Sequence, residues 1–246
     1  MRRKLFAIAL VLALLVPASC FADEVQDLLN YYVDRFKPET ALLTISDKPD
    51  STGYFNDIYM ELRGVHIETL RLDSLSFRMS GVQFNEPGEW AKGNVECKDA
   101  LNINALGTIL ESDINKAIET KTFGDDGRWH DVSLAITPNG LKGRGYYEAD
   151  FLMTKLDILL EITSGLKIVK GKELWLNAPA VKVNKMDVPD YITNRALSQI
   201  QPLVDLARFP LPMTLHKVDL KKGSASLSTR TLPKPIEKGI KYSYPK

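Results

Sequence analysis

Cysteine is almost absent from this chain of 246 residues: there are only Cys20 and Cys97. The first sits in an N-terminal stretch with the pattern of a secretory signal, so one cysteine is expected in the mature protein. A single cysteine forms no internal disulfide and no redox pair, which excludes a disulfide-stapled secreted mini-domain. Histidine is also scarce. His66, His130 and His216 lie far apart, and none has a metal-ligand spacing. No Gly-x-Ser-x-Gly elbow is present. Gly143-Arg144-Gly145 is followed by Glu148 where a dinucleotide fingerprint needs glycine. Asp125-Asp126-Gly127 lacks the spaced oxygen ligands of a calcium loop and reads as a turn. No catalytic residue, metal or cofactor is assigned, and the chain is read as a non-enzyme.

Charge of one sign is lacking too. The chain has 32 basic and 31 acidic residues, and removing Arg2, Arg3 and Lys4 leaves 29 against 31, a net of −2. That balance excludes nucleic acid as the main partner, which wants a strongly basic domain. Long hydrophobic runs are missing beyond Leu5 to Val16, about 12 residues where a bilayer span needs about 20. The basic start, this apolar run, Pro17 and the small residues Ala18, Ser19, Cys20 and Ala22 predict a signal peptide over residues 1–22. Export to the periplasm or cell envelope is the expected destination. An alternative makes Cys20 the lipidated first residue of a lipoprotein, although Pro17 stands where such a site usually has Leu.

What the chain does have is alternation. Val25, Leu28, Leu29, Tyr32, Val33 and Phe36 first mark an amphipathic helix over residues 23–37, ended by Pro38. Then Ile58, Met60 and Leu62 alternate with polar residues, as do Leu75, Phe77 and Met79, and the run from Val95 through Cys97, Leu101 and Ile103. Val132, Leu134 and Ile136 lead to the turn Pro138-Asn139-Gly140 and a new strand. Leu156, Ile158, Leu160 and Ile162 form the next apolar face, and Leu174, Leu176, Val181 and Val183 continue it. The pattern predicts an extended antiparallel sheet, wet on one side, whose other side must be covered.

Two further helices are predicted as that cover. A short one spans about Ser112 to Lys121, with Ser112 or Asp113 as its cap. A long one runs from about Pro189 to Arg208, with Ile192, Ala196, Ile200, Leu203, Val204 and Ala207 on one face and Pro202 inside it. Beyond Leu232, residues 233–246 read as a loose basic tail. Between Lys217 and Lys246 there are eight basic residues and two acidic ones.

From about Tyr54 to Leu232 the order of these features resembles the LmeA-like phospholipid-binding family, within the tubular lipid-binding (TULIP) group. The resemblance is carried by "LRLDSLSFRMSGVQF", "LNINALGTILESDINKAI", "VSLAITPNGLKGRGYY", "LWLNAPAVKVNKMDVPDYI" and "LVDLARFPLPMTLHKVDLKKGSASL". It implies an α+β fold: a long, strongly curved antiparallel sheet wrapped around a long C-terminal helix, in a single domain over residues 23–232. It also implies an apolar groove for the acyl chains of a phospholipid and peripheral contact with a membrane surface. Candidate groove residues are Ile192, Ala196, Ile200 and Leu203 on the helix, and Leu156, Ile158, Leu160 and Ile162 on a facing strand. Candidate headgroup contacts are Lys217, Lys221 and Lys222. The expected function is an exported protein that binds phospholipid and shuttles it between membranes. The competing readings are a non-catalytic envelope scaffold and a hydrolase, the latter requiring a pocket of clustered titratable groups.

Overall fold

The structure is a computed structural model and describes residues 23–67, 70–120, 127–151, 154–189, 201–209 and 211–245. The expected signal segment, residues 1–22, lies outside them, as do Ile192, Ala196 and Ile200. The chain opens with helix α1 (Glu24–Phe36) and strands β1 (Thr40–Ile45), β2 (Tyr54–Ile67), β3 (Leu70–Phe84) and β4 (Cys97–Leu110). Helix α2 (Glu111–Glu119) precedes β5 (Trp129–Thr137), β6 (Gly140–Phe151), β7 (Thr154–Val169), β8 (Glu173–Val183) and β9 (Met186–Asp187). The last strands are β10 (Val204–Asp205), β11 (Lys217–Lys221), β12 (Ser224–Ser228) and β13 (Ile240–Tyr244).

These strands form two antiparallel sheets where the sequence predicts one continuous sheet. The first has the order β11-β12-β4-β3-β2-β1-β13, and the second β10-β8-β7-β6-β5 with β9 beside β8. The break falls at α2, because β5 turns its edge to side chains instead of a strand. Asn115 Nδ2 donates to Leu134 O at 2.9 Å, and Leu134 N–H donates to Asn115 Oδ1 at 2.8 Å. Ile136 N–H donates to Glu111 Oε2 at 2.7 Å, while Ile136 O accepts from Gly223 N–H at 3.0 Å. The edge groups of β5 are thus met without a neighbouring strand. Asp113, buried on the same helix, holds Arg71 of β3 at 3.0 Å and ties α2 to the first sheet.

The core belongs to the first sheet. Asp23 caps α1 by accepting from Val25 N–H at 3.2 Å, and Lys37 ends it in the left-handed region at φ 43°. Its predicted apolar stripe is buried as expected, against Leu43, Ile58, Met60, Leu62, Phe77 and Met79. A period of two would turn part of each long strand outward, yet Val65 and Val82 stay inside. The phase shifts by one residue at Gly64 and Gly81, with φ of 60° and 56°. A Cβ at Gly64 would stand 2.3 Å from the Glu39 side chain. The same slip reaches β4, where Cys97, Ala100 and Ile103 pack on the core while Leu101 is 84% exposed. Cys97 is half-buried, and burial pushes its thiol up to about 11.

Four expectations are corrected. No long C-terminal helix exists among the described residues, which are mostly antiparallel sheet. Leu203 N–H donates to Leu174 O at 2.8 Å and Leu206 N–H to Lys172 O at 2.9 Å. Residues 203–206 therefore spend their hydrogen bonds on the edge of β8. Pro202 brings no donor of its own, and the free edge of β8 offers acceptors that a helical turn would have to replace. The cover of the core is instead α1 and the 3₁₀ turn Pro87–Lys92, whose Trp90 is buried against Phe55 and Phe84. The short helix starts at Glu111, one residue before the expected cap Ser112, with no side-chain cap. The tail read as loose supplies β13, paired with β1 from Ala41↔Tyr244 to Ile45↔Ile240.

Candidate functional site

Residues directly opposite in an antiparallel pair share a face, so the register defines what surrounds the predicted groove strand. Ile158 lies opposite Tyr147, Leu160 opposite Gly145 and Val183, and Ile162 opposite Gly143 and Val181. On β5, Trp129 faces Tyr147 and Leu134 faces Gly143. The predicted quartet Leu156, Ile158, Leu160 and Ile162 thus sits in the middle of one apolar face of the second sheet. The glycines of Gly143-Arg144-Gly145 lie on this face too. A Cβ at Gly143 would come within 2.7 Å of Ile162 Cγ2, so the absence of a side chain lets the neighbouring strand lean inward.

This face is incompletely covered. Leu156 is 47% exposed, and Ile158, Leu160, Ile162, Val181 and Val183 are all half-buried. Burial deepens toward the end nearest the first sheet, where Ile136, Leu174 and Leu176 are buried along with Leu215. Ile158 and Leu160 therefore stand on an open slope, and Leu141 and Ile136 at its closed end. From Leu156 to Ile162 the strand covers about 20 Å at about 3.3 Å per residue. One leaflet of hydrocarbon is about 15 Å, so an acyl chain can lie along this stretch. Among the described residues no helix is long and apolar enough to cross a membrane.

Of the other predicted site residues, Leu203 lies beside β10 at the edge of the same sheet and is 39% exposed. The structure does not place it over the quartet as the tip of a long helix. Lys217 and Lys221 open and close β11, with Lys222 in the following turn; all three are exposed. They belong to the first sheet and sit off the apolar face. What the sequence reading did not assign to the site is the rest of that face, namely Val132, Leu134, Tyr147, Val181 and Val183. Their alternation was visible, but only the cross-strand register puts them beside β7.

The reverse side of the open end is polar. A recess of about 310 Å³ is lined by Gly127, Arg128, His130, Glu148, Asp150 and Lys155. Arg128 reaches Asp150 at 2.8 Å, and Lys155 pairs with Glu148. His130 lies 3.2 Å from both Asp157 and Asp131 and stacks on Tyr146. Hydrogen bonds to Asp157 and then Asp131 raise the pKa of its imidazole. These are matched ion pairs at the surface, and they present no nucleophile beside a base. Among the described residues no group of three His, Cys, Asp or Glu side chains could hold a metal ion.

The model of the LmeA-like phospholipid-binding family matches residues 51–230. The chain belongs to this family, and lipid is thereby its class of partner. The match leaves out α1, β1 and β13, which close the core of the first sheet, and includes the whole apolar face of the second. No curated protein matches the chain, and no solved structure does.

Proposed function

We propose that the protein is exported to the cell envelope and holds the acyl chains of a phospholipid against the apolar face of its second sheet, carrying the lipid between membranes without chemistry of its own. The observation that supports this reading is the contrast in cover. The face around Leu156, Ile158, Leu160 and Ile162 has the residue types of a core, yet Leu156 is exposed and the other three are only half-buried. Each methylene that it takes from water contributes about 0.8 kcal/mol, so an apolar face retains an acyl chain with few polar contacts. The absence of sharp motifs in the sequence fits a ligand held by area.

Mass spectrometry of organic extracts tests the proposal, on protein expressed without residues 1–22 and purified without detergent. One phospholipid per protein is the expected result. An empty, stable and monodisperse protein would overturn it and favour a scaffold that uses the same face for a protein partner.

A further inference from the structure

Strand β11 crosses one end of the second sheet. At its start Leu215 N–H donates to Gly171 O in the β7–β8 turn at 2.7 Å, and just past its end Gly223 N–H donates to Ile136 O of β5 at 3.0 Å. Lys217, Lys221 and Lys222 therefore stand along the end of that sheet. The sheet adds four more exposed lysines there: Lys170 and Lys172 from the β7–β8 turn, Lys167 from the end of β7, and Lys142 from the start of β6.

The carboxylates nearby are already engaged. Asp219 faces Lys217 at 3.5 Å, and Glu173 accepts from Trp175 Nε1 at 2.7 Å. Glu111 accepts from Ile136 N–H, and Asp205 from Ala207 N–H at 2.8 Å. Among the described residues Lys142, Lys167, Lys170, Lys172, Lys221 and Lys222 form no ion pair. At the opposite end of the same sheet most cations have a carboxylate: Arg128 has Asp150, Lys155 has Glu148 and Lys182 has Asp187, with Lys185 the exception among the described residues. The second sheet is thus polarised, in a chain whose expected mature charge is close to zero.

We propose that this lysine rim docks the protein on a membrane surface rich in anionic phospholipid. A row of unpaired ammonium groups along one end fits a plane of phosphates, and each one within a Debye length, about 10 Å at 0.1 M salt, adds to the attraction. Docked this way, the strands of the second sheet rise from the surface with the apolar face beside them. The rim concerns where the protein sits, whereas the proposed function concerns what the face holds, and the two are tested by separate readouts.

The experiment is co-sedimentation of the full chain, purified as the cell processes it, with vesicles of phosphatidylcholine alone or mixed with phosphatidylglycerol. Binding is expected only to the anionic vesicles, with loss at 1 M salt, where the Debye length falls to about 3 Å. Lys170→Glu with Lys221→Glu should weaken it by about tenfold or more. Lys238→Glu with Lys241→Glu makes the same charge change beside or within β13, the far edge of the first sheet, and should shift it less than about twofold. Equal losses in the two variants, or equal binding to both kinds of vesicle, would overturn the rim. All four positions are exposed, so both variants are expected to fold, and circular dichroism checks it. Vesicle binding by a protein with no lipid in its extract would uphold the rim and sink the acyl-chain reading.

Discussion

The two sheets are built from the same kind of strand and meet different ends. In the first, Ile58, Met60, Leu62, Phe77 and Met79 are fully buried because α1 and the Trp90 turn lie across them. In the second, Ile158, Leu160 and Ile162 repeat that alternation on a longer strand, yet all three are only half-buried. Leu156 at the open end is nearly half-exposed. The difference does not come from the strands themselves, since both carry β-branched and large apolar residues at every second position. Among the described residues, it comes from what lies across them. The first sheet receives a capped helix with six apolar positions in register, and the second receives a row of hydrogen bonds along its edges. One sheet is therefore a core, and the other is a surface that gains from any apolar molecule that reaches it.

The strongest way to break this comparison is to remove a side chain from the covered sheet. Phe77 is fully buried and its ring lies 5.8 Å from that of Phe209. Phe77→Ala should cost about 3–5 kcal/mol in denaturant unfolding, because it leaves a cavity in a packed core. A loss below about 1 kcal/mol would mean that the first sheet is no better packed than the second.

The junction between the sheets comes next. Asn115 satisfies both the N–H and the C=O of Leu134. Asn115→Ala should cost about 1–3 kcal/mol, the penalty for leaving such groups without protein partners. Hydrogen exchange should quicken at Leu134 and Ile136 while the amides of β2 and β3 keep their protection. Uniform loss of protection would show that the sheets open as one unit.

How much of this was legible in the sequence follows from the range of each signal. The α1 stripe, the β2 and β3 alternation and the Pro138-Asn139-Gly140 turn are local patterns, and each stands where it was read. The stretch around Leu203 also has a local pattern, a helical one, but an edge of β8 that lies far off in sequence claimed its hydrogen bonds. Likewise β13 shows Ile240, Tyr242 and Tyr244 at alternate positions, and lysines and prolines nearby masked it until β1 offered a partner. For the candidate site, the β7 quartet was readable as one apolar face. Its neighbours on β5, β6 and β8 were not, because register is a property of pairs of strands. The exposure of the quartet was not readable either, since alternation reports which face is apolar and says nothing of its cover.

A smaller effect on stability, and a larger one on ligand, is expected from the open sheet. Ile158→Ala removes a half-buried side chain and should cost less than about 1 kcal/mol. Ile158→Glu puts a carboxylate in the middle of the apolar face and should strip most of the co-purifying phospholipid with the fold intact. A folded Ile158→Glu variant that keeps its full lipid content would move the ligand off this face. A variant that unfolds would show that the face is core after all.

The smallest effect is electrostatic and belongs to the open end of the second sheet alone. His130 sits between Asp157 and Asp131, and its imidazolium can donate from both ring nitrogens. Both carboxylates favour the charged ring, so its folded pKa stands above the ordinary value of about 6.5. A group whose pKa is raised on folding stabilises the folded state fully below its unfolded pKa. That contribution disappears as pH climbs through the folded pKa. Protection of the amides around His130 and Tyr146 should therefore be highest in mild acid and decline above it, while the amides of β2 and β3 stay level. An NMR titration of His130 reads the shift directly. Asp157→Asn removes the larger cause and should bring the pKa down toward 6.5, and high salt should do part of the same. A pKa already at or below 6.5 in the unmodified protein would show that these carboxylates do not hold the ring. The open end of the sheet would then rest on the β5–β6–β7 backbone ladder alone.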